Sequence, residues 1–104
     1  MNKYGAKWTY SELCGRFFDS KAEARRGEEL ALLERAGEIS NLAYQVCFIL
    51  NKKPRVSITV DFGYIEGGKQ VYEDVKGMGE TREFRVKRIW LKQLTNIEIR
   101  IERR

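Results

Sequence analysis

Hydrophobic and polar positions change their period several times along the chain, and each change marks an element. Arg16-Phe17-Phe18 is short and aromatic enough for a strand, and Ser20 then opens a stretch of helical spacing. Ser20-x-x-Glu23 has the form of a capping box and Gly37 ends the pattern about four turns later, so a helix is predicted between them. Ala24, Leu30, Ala31 and Leu33 supply its buried stripe. From Leu42 the period becomes two, with Leu42, Tyr44, Val46, Phe48 and Leu50 on one side and Ala43, Gln45 and Cys47 on the other. That is a strand.

Beyond Pro54 the alternation resumes, with Val56, Ile58, Val60, Phe62 and Tyr64 set against Ser57, Thr59, Asp61 and Gly63. It runs into Glu66-Gly67-Gly68-Lys69 before Val71 to Lys76, and Gly-Gly between two such runs predicts a hairpin with a primed turn. Thr81 to Leu94 predicts a second helix, with Phe84, Val86, Ile89, Trp90 and Leu94 as its apolar positions. A last strand alternates Ile97, Ile99 and Ile101 with charges. The order is strand, helix, three strands, helix, strand, which is an α/β domain with a central sheet and two helices. Residues 1–15 stand as a candidate arm, because Lys3 and Lys7 lie among Tyr4, Trp8 and Tyr10 with no periodic pattern of their own.

A chain of 104 residues that is 42% apolar fits one domain over 1–104, without linker or repeat. Cys14 and Cys47 are too few and too far apart for a disulfide scaffold or a Cys-x-x-Cys site, and they read as free thiols in a reducing compartment. There is no histidine, which removes Ser-His-Asp and Cys-His nucleophile pairs and His-ligated zinc or haem from consideration. Acid-base or metal chemistry must then run on carboxylates and lysine. The longest apolar run, Val46 to Leu50, falls far short of the roughly 20 residues that cross a bilayer. A soluble, cytoplasmic protein with no membrane partner is expected.

Twenty Lys and Arg against fifteen Asp and Glu give a net charge of +5, unevenly spread. Arg82, Arg85, Lys87, Arg88 and Lys92 share their window with a single acid, Glu83. Nucleic acid is the simplest partner for such a stretch, and a solvated helix face is the bland alternative.

The Gly67-Gly68 turn implies a register. Glu66 pairs with Lys69, and by the same count Val60 faces Val75, Asp61 faces Asp74, and Lys76 follows on the aspartates' side opposite Thr59. Two carboxylates about 5 Å apart repel by roughly 3 kcal/mol at an effective dielectric of 20, so the pair needs a compensating charge. A divalent metal is one solution, and oxygen ligands without His or Cys suit Mg²⁺ or Mn²⁺. A salt bridge from Asp74 to Lys76 on an exposed face is the other. Glu73 alternates to the opposite side, where a basic helix residue is its expected partner.

Asp61, the hairpin and Asp74-Val75-Lys76-Gly77 resemble the core motif of the PD-(D/E)XK nuclease superfamily. Lys3-Tyr4, Phe18-Asp19-Ser20-Lys21-x-Glu23-Ala24, Leu33-Glu34-x-Ala36-Gly37-Glu38-Ile39, Asp61-Phe62-x-Tyr64 and Glu73-Asp74-Val75-Lys76-Gly77 together resemble small phage and prophage endonucleases related to Holliday-junction resolvases. The resemblance covers nearly the whole chain. It implies a restriction-endonuclease-like core with a mixed sheet flanked by two helices. It also implies a Mg²⁺-dependent DNA endonuclease acting in the host cell as a homodimer.

Carried over position by position, the resemblance makes Asp61 and Asp74 metal-binding acids, Lys76 the catalytic lysine and Glu23 a further metal ligand. The Val75 carbonyl is an additional ligand in that picture, while Arg82, Arg85, Lys87 and Arg88 grip phosphates. Two positions depart from the motif: Val60 replaces the proline before the first acid, and the second acid is Asp rather than Glu. The residues themselves leave Glu23 two roles, because the capping box also offers it the backbone at Ser20. Gln45 is placed either against substrate or a ligand water, or as a satisfied structural amide. Trp8 and Trp90 read as core or dimer contacts before base-stacking platforms. The alternative to an enzyme is a nucleic-acid-binding module that keeps this fold with an idle site.

Overall fold

The computed structural model describes residues 8–104. Its elements are β1 (Thr9–Ser11), β2 (Arg16–Phe18), α1 (Lys21–Arg35), β3 (Ile39–Asn51), β4 (Val56–Glu66), β5 (Lys69–Lys76), α2 (Arg82–Thr95) and β6 (Ile99–Arg103). From β2 onward the order is the predicted one, and the fold is α/β. Strands β3 to β6 form one sheet in that order, antiparallel except where β6 runs parallel to β5. A parallel neighbour needs a crossover connection, and α2 supplies it. The last strand begins at Ile99 rather than Ile97.

Part of the expected arm is structured. Thr9–Ser11 pairs antiparallel with β2, and Ser11, almost fully buried, donates from its Oγ to Glu28 Oε2 on α1 at 2.6 Å. A buried hydroxyl with a charged acceptor ties this small hairpin to the domain. Residues 1–7 of the arm, with the Lys3-Tyr4 block, lie outside the described residues.

The Gly67-Gly68 turn sets the β4–β5 register as predicted, from Glu66 opposite Lys69 to Phe62 opposite Glu73. Both glycines have positive φ, 58° and 77°, which a two-residue primed turn requires. The apolar residues of β4 nevertheless serve two cores. Phe62 and Tyr64 pack with Phe18, Ala24, Leu30 and Ile39, on the side of α1. Ile58 and Val60 pack with Leu50, Leu91 and Ile99, on the side of α2. The change falls at Asp61, whose neighbour across the sheet is Gln45, held in the left-handed region at φ 53°.

Helix α2 corrects the predicted stripe. Leu91 is its buried residue, Phe84 and Trp90 are half-buried, and Val86, Ile89 and Leu94 are exposed. Phe84 and Leu91 lie two turns apart on one face and Trp90 packs at its margin, while Val86, Ile89 and Leu94 stay exposed outside it. Ile99 is buried in the same cluster as Leu91, and Ile97 and Ile101 pack against that cluster. Among the described residues no helix is long and apolar enough to cross a membrane.

Glu73, completely buried, anchors α1 to β5. Arg26 on α1 holds it by two bonds of 2.6 and 2.9 Å, and the Tyr64 hydroxyl donates a third at 2.6 Å. This is the basic helix partner expected for Glu73. Removing one member of a buried pair strands the other charge, so Arg26→Met should cost about 3–5 kcal/mol in chemical denaturation. The double variant Arg26→Met, Glu73→Gln should recover most of that loss, because Gln still accepts from Tyr64 without a charge to compensate.

Candidate functional site

Beyond the Phe62–Glu73 pair the two central strands part, and carboxylates take over the ladder. The Asp61 amide donates to Asp74 Oδ1 at 3.0 Å, and the Val75 amide donates to Asp61 Oδ2 at 2.8 Å. Each aspartate thus satisfies a backbone N–H that the parting would otherwise orphan. Asp74 is buried and Asp61 half-buried. The turn register predicts them opposite one another, and the structure brings them into contact through each other's backbone.

Helix α1 contributes the third acid. Ser20 caps the helix by accepting from the Glu23 amide at 3.1 Å, but the Glu23 side chain does not return the bond in the capping-box manner. It lies buried and turns toward the aspartates, where its Oε2 accepts from Gln45 Nε2 at 3.2 Å. Gln45 is therefore a partner of Glu23. Its left-handed backbone explains how an amide on an otherwise exposed row reaches the site.

Burial and mutual repulsion dominate the electrostatics. Asp61 is pushed up to about 8, first by desolvation, then by the charges of Asp74 and Glu23. Glu23 is pushed up to about 7 by burial, then by Asp19 and Asp74, and it is partly relieved by Arg16 and by a hydrogen bond with Asp61. Lys76 answers Asp74: its Nζ lies 2.7 Å from Asp74 Oδ2 and 3.7 Å from the centroid of the Phe84 ring on α2. The salt bridge anticipated between them exists, but at a buried carboxylate rather than on an exposed face.

The donor chemistry suits a hard divalent cation, since three carboxylates converge with no nitrogen or sulfur ligand and with charge left uncompensated. As the side chains stand, no group of three such residues among those described is spaced to hold a metal ion. Asp74 commits one oxygen to the Asp61 amide and the other to Lys76. A metal ion here would compete with Lys76 for Asp74 Oδ2.

The phosphate-gripping set divides. Lys87 is paired with Glu83 at 3.0 Å, and Arg88 is held by Glu80 through bonds of 2.9 and 2.6 Å. Arg82 and Arg85 are exposed in the first turns of α2 and enter no ion pair among the described residues. Arg16 was not anticipated. Its guanidinium stacks 4.4 Å from the Tyr44 ring and 5.4 Å from the Phe18 ring, close enough to Glu23 to lower its pKa. No local signal marks it, because its aromatic partner Tyr44 comes from a distant strand. A surface hollow lined by Gln70, Tyr72, Lys92, Asn96, Ile97 and Glu98 shares no residue with the carboxylate cluster.

The chain belongs to the family described as "Protein of unknown function (DUF1064)", which matches residues 1–102. No curated protein and no solved structure matches it.

A carboxyl with a raised folded pKa binds more protons folded than unfolded, so stability falls as pH rises between the two values. With Asp61 at about 8 and Glu23 at about 7, the metal-free protein should melt higher at pH 5 than at pH 8.5. The loss should begin above the ordinary carboxylate range near pH 4 and level off above pH 8. Thermal melts in chelator, repeated with Asp61→Asn, check this. The variant should show a flatter profile.

Proposed function

We propose that this member of the family is a metal-dependent endonuclease that hydrolyses phosphodiester bonds in DNA. The observation that carries the reading is the meeting of Asp61, Asp74 and Glu23 beside the Lys76 ammonium at the parted strands. Asp61, Asp74 and Glu23, with the Val75 carbonyl, would hold Mg²⁺ or Mn²⁺. The bound ion supplies Lewis-acid polarisation of the phosphate and a more acidic water. Lys76, steadied by Phe84, orients the attacking water and offsets charge developing on the phosphate. Arg16 is pre-stacked at the mouth of the cluster, where it and the unpaired Arg82 and Arg85 receive neighbouring phosphates without reading bases. Such an enzyme would act in the cytoplasm of a host cell, on DNA structures that a phage or prophage generates.

The rival reading, a binding module with an idle site, draws on the Lys76–Asp74 bridge that occupies one ligand position. Plasmid nicking by the purified protein decides between them. Asp61→Asn and Asp74→Asn each keep an amide oxygen able to accept the same backbone N–H, so both variants should fold. Nicking in Mg²⁺ should nevertheless fall by roughly a thousandfold or more in each. Undiminished nicking in either variant, or none in the parent protein, overturns the endonuclease reading.

Symmetrical cleavage of a four-way junction needs two sites related by a twofold axis, and one chain supplies one. The β1–β2 hairpin offers interface material, because Trp8, Tyr10 and Phe17 are all more than half exposed. Phe17 stacks with Tyr10 at 4.9 Å and with Trp8 at 6.5 Å, which presents them as one aromatic patch. A dimer is expected in sedimentation at micromolar concentration with junction DNA, and Phe17→Ser should weaken it. A strict monomer leaves a nicking enzyme and removes the junction-resolving role.

A further inference from the structure

The β3–β4 hairpin carries basic residues of a different kind from those of α2. At its tip, Asn51 Nδ2 bonds the Pro54 carbonyl at 2.8 Å and shapes a turn that displays Lys52, Lys53 and Arg55. All three are exposed, and none enters an ion pair among the described residues. By contrast, Lys87, Arg88 and Lys92 on α2 are each answered by a glutamate.

Among the described residues, the row between this turn and the carboxylate cluster carries no acidic side chain. On β3 Cys47 and Ile49 lie opposite Thr59 and Ser57 of β4, and this row continues to Gln45 opposite Asp61. Cys47, Ile49 and Thr59 are exposed, and Thr59, Ser57 and Arg55 all lower the pKa of the Cys47 thiol, so these side chains share one face. The face is open and extended, with the site at one end and three cations at the other. Among the described residues it holds no aromatic ring on which an unpaired base could stack, which disfavours a single strand.

We infer that the outer face of the β3–β4 hairpin is a track for one duplex arm of the DNA substrate, with Lys52, Lys53 and Arg55 clamping its phosphates beyond the cut. The inference rests on the endonuclease reading and adds where its substrate lies. Asp61 and Arg55 are separated by six residues of strand, about 20 Å. At 3.4 Å per base pair that corresponds to about six base pairs of duplex.

The full-length protein bound to a labelled 20-base-pair duplex in Ca²⁺, titrated across salt concentrations, tests the track. The variant Lys52→Ala, Lys53→Ala, Arg55→Ala should weaken binding roughly 10- to 100-fold and flatten the salt slope by about 0.9 for each phosphate it no longer neutralises. Alkylation of Cys47 in a Cys14→Ser protein gives a second measurement that leaves the basic turn intact. Duplex should protect the thiol several-fold, and protection should vanish in the triple variant. An unchanged salt slope, or equal alkylation with and without bound DNA, overturns the track. If Asp61→Asn still abolishes nicking in that case, the endonuclease reading stands without it. A protein that neither binds nor cuts duplex overturns both.

Discussion

The parting of β4 and β5 after Phe62 and Glu73 is the constraint around which the molecule is arranged. Two strands that separate inside a sheet leave N–H groups without partners, and a buried unpaired N–H costs about as much as a broken hydrogen bond. Asp61 and Asp74 meet that demand with their carboxylates, each accepting from backbone across the gap. The solution locks both side chains in place, and it also concentrates negative charge where water is scarce. Burial and repulsion hold Asp61 and Glu23 well above the usual carboxylate range as a direct result.

Neighbouring interactions keep that arrangement from relaxing. Glu73 is next to Asp74 in the chain and points the opposite way, where Arg26 and Tyr64 grip it. One residue of β5 is therefore fastened to α1 while the next is presented to the site. Helix α1 is itself started by Ser20, which places Glu23 one turn in. Gly27 lets the helix approach closely, since a Cβ there would come within 2.7 Å of the Phe18 ring. The third carboxylate thus reaches the aspartates by close packing of α1 rather than by any loop.

Much of this was legible in the chain itself, because a two-residue turn and a period of two leave little freedom. Gly67-Gly68 was enough to align Asp61 with Asp74 and to send Glu73 to the other side. The role of Glu23 was not decidable in the same way. Ser-x-x-Glu suits both a capping box and a buried acid, and only the position of α1 against the sheet separates them. Period alone also could not show that β4 divides its apolar residues between two cores at Asp61, because twist and a left-handed Gln45 are not written in alternation. The exposed Val86 and Ile89 arise from the same ambiguity, since the apolar residues of α2 spread beyond the face that the sheet covers.

Charge is where linear reading and folded structure differ most. The run from Arg82 to Lys92 holds one acid in sequence, yet Glu80 and Glu98, just outside it, bind Arg88 and Lys92. The shorter Lys52-Lys53-Pro54-Arg55 segment draws less notice in the linear chain, and its cations enter no ion pair among the described residues. Lys76 shows the same logic at the site. Without a metal, its ammonium is the charge closest to Asp74, and the Phe84 ring stabilises it there. Under the proposed function the salt bridge and the metal site are therefore not competing descriptions. On that reading Lys76 would stay beside the Phe84 ring when Asp74 turns to an ion, placed to orient water and offset phosphate charge.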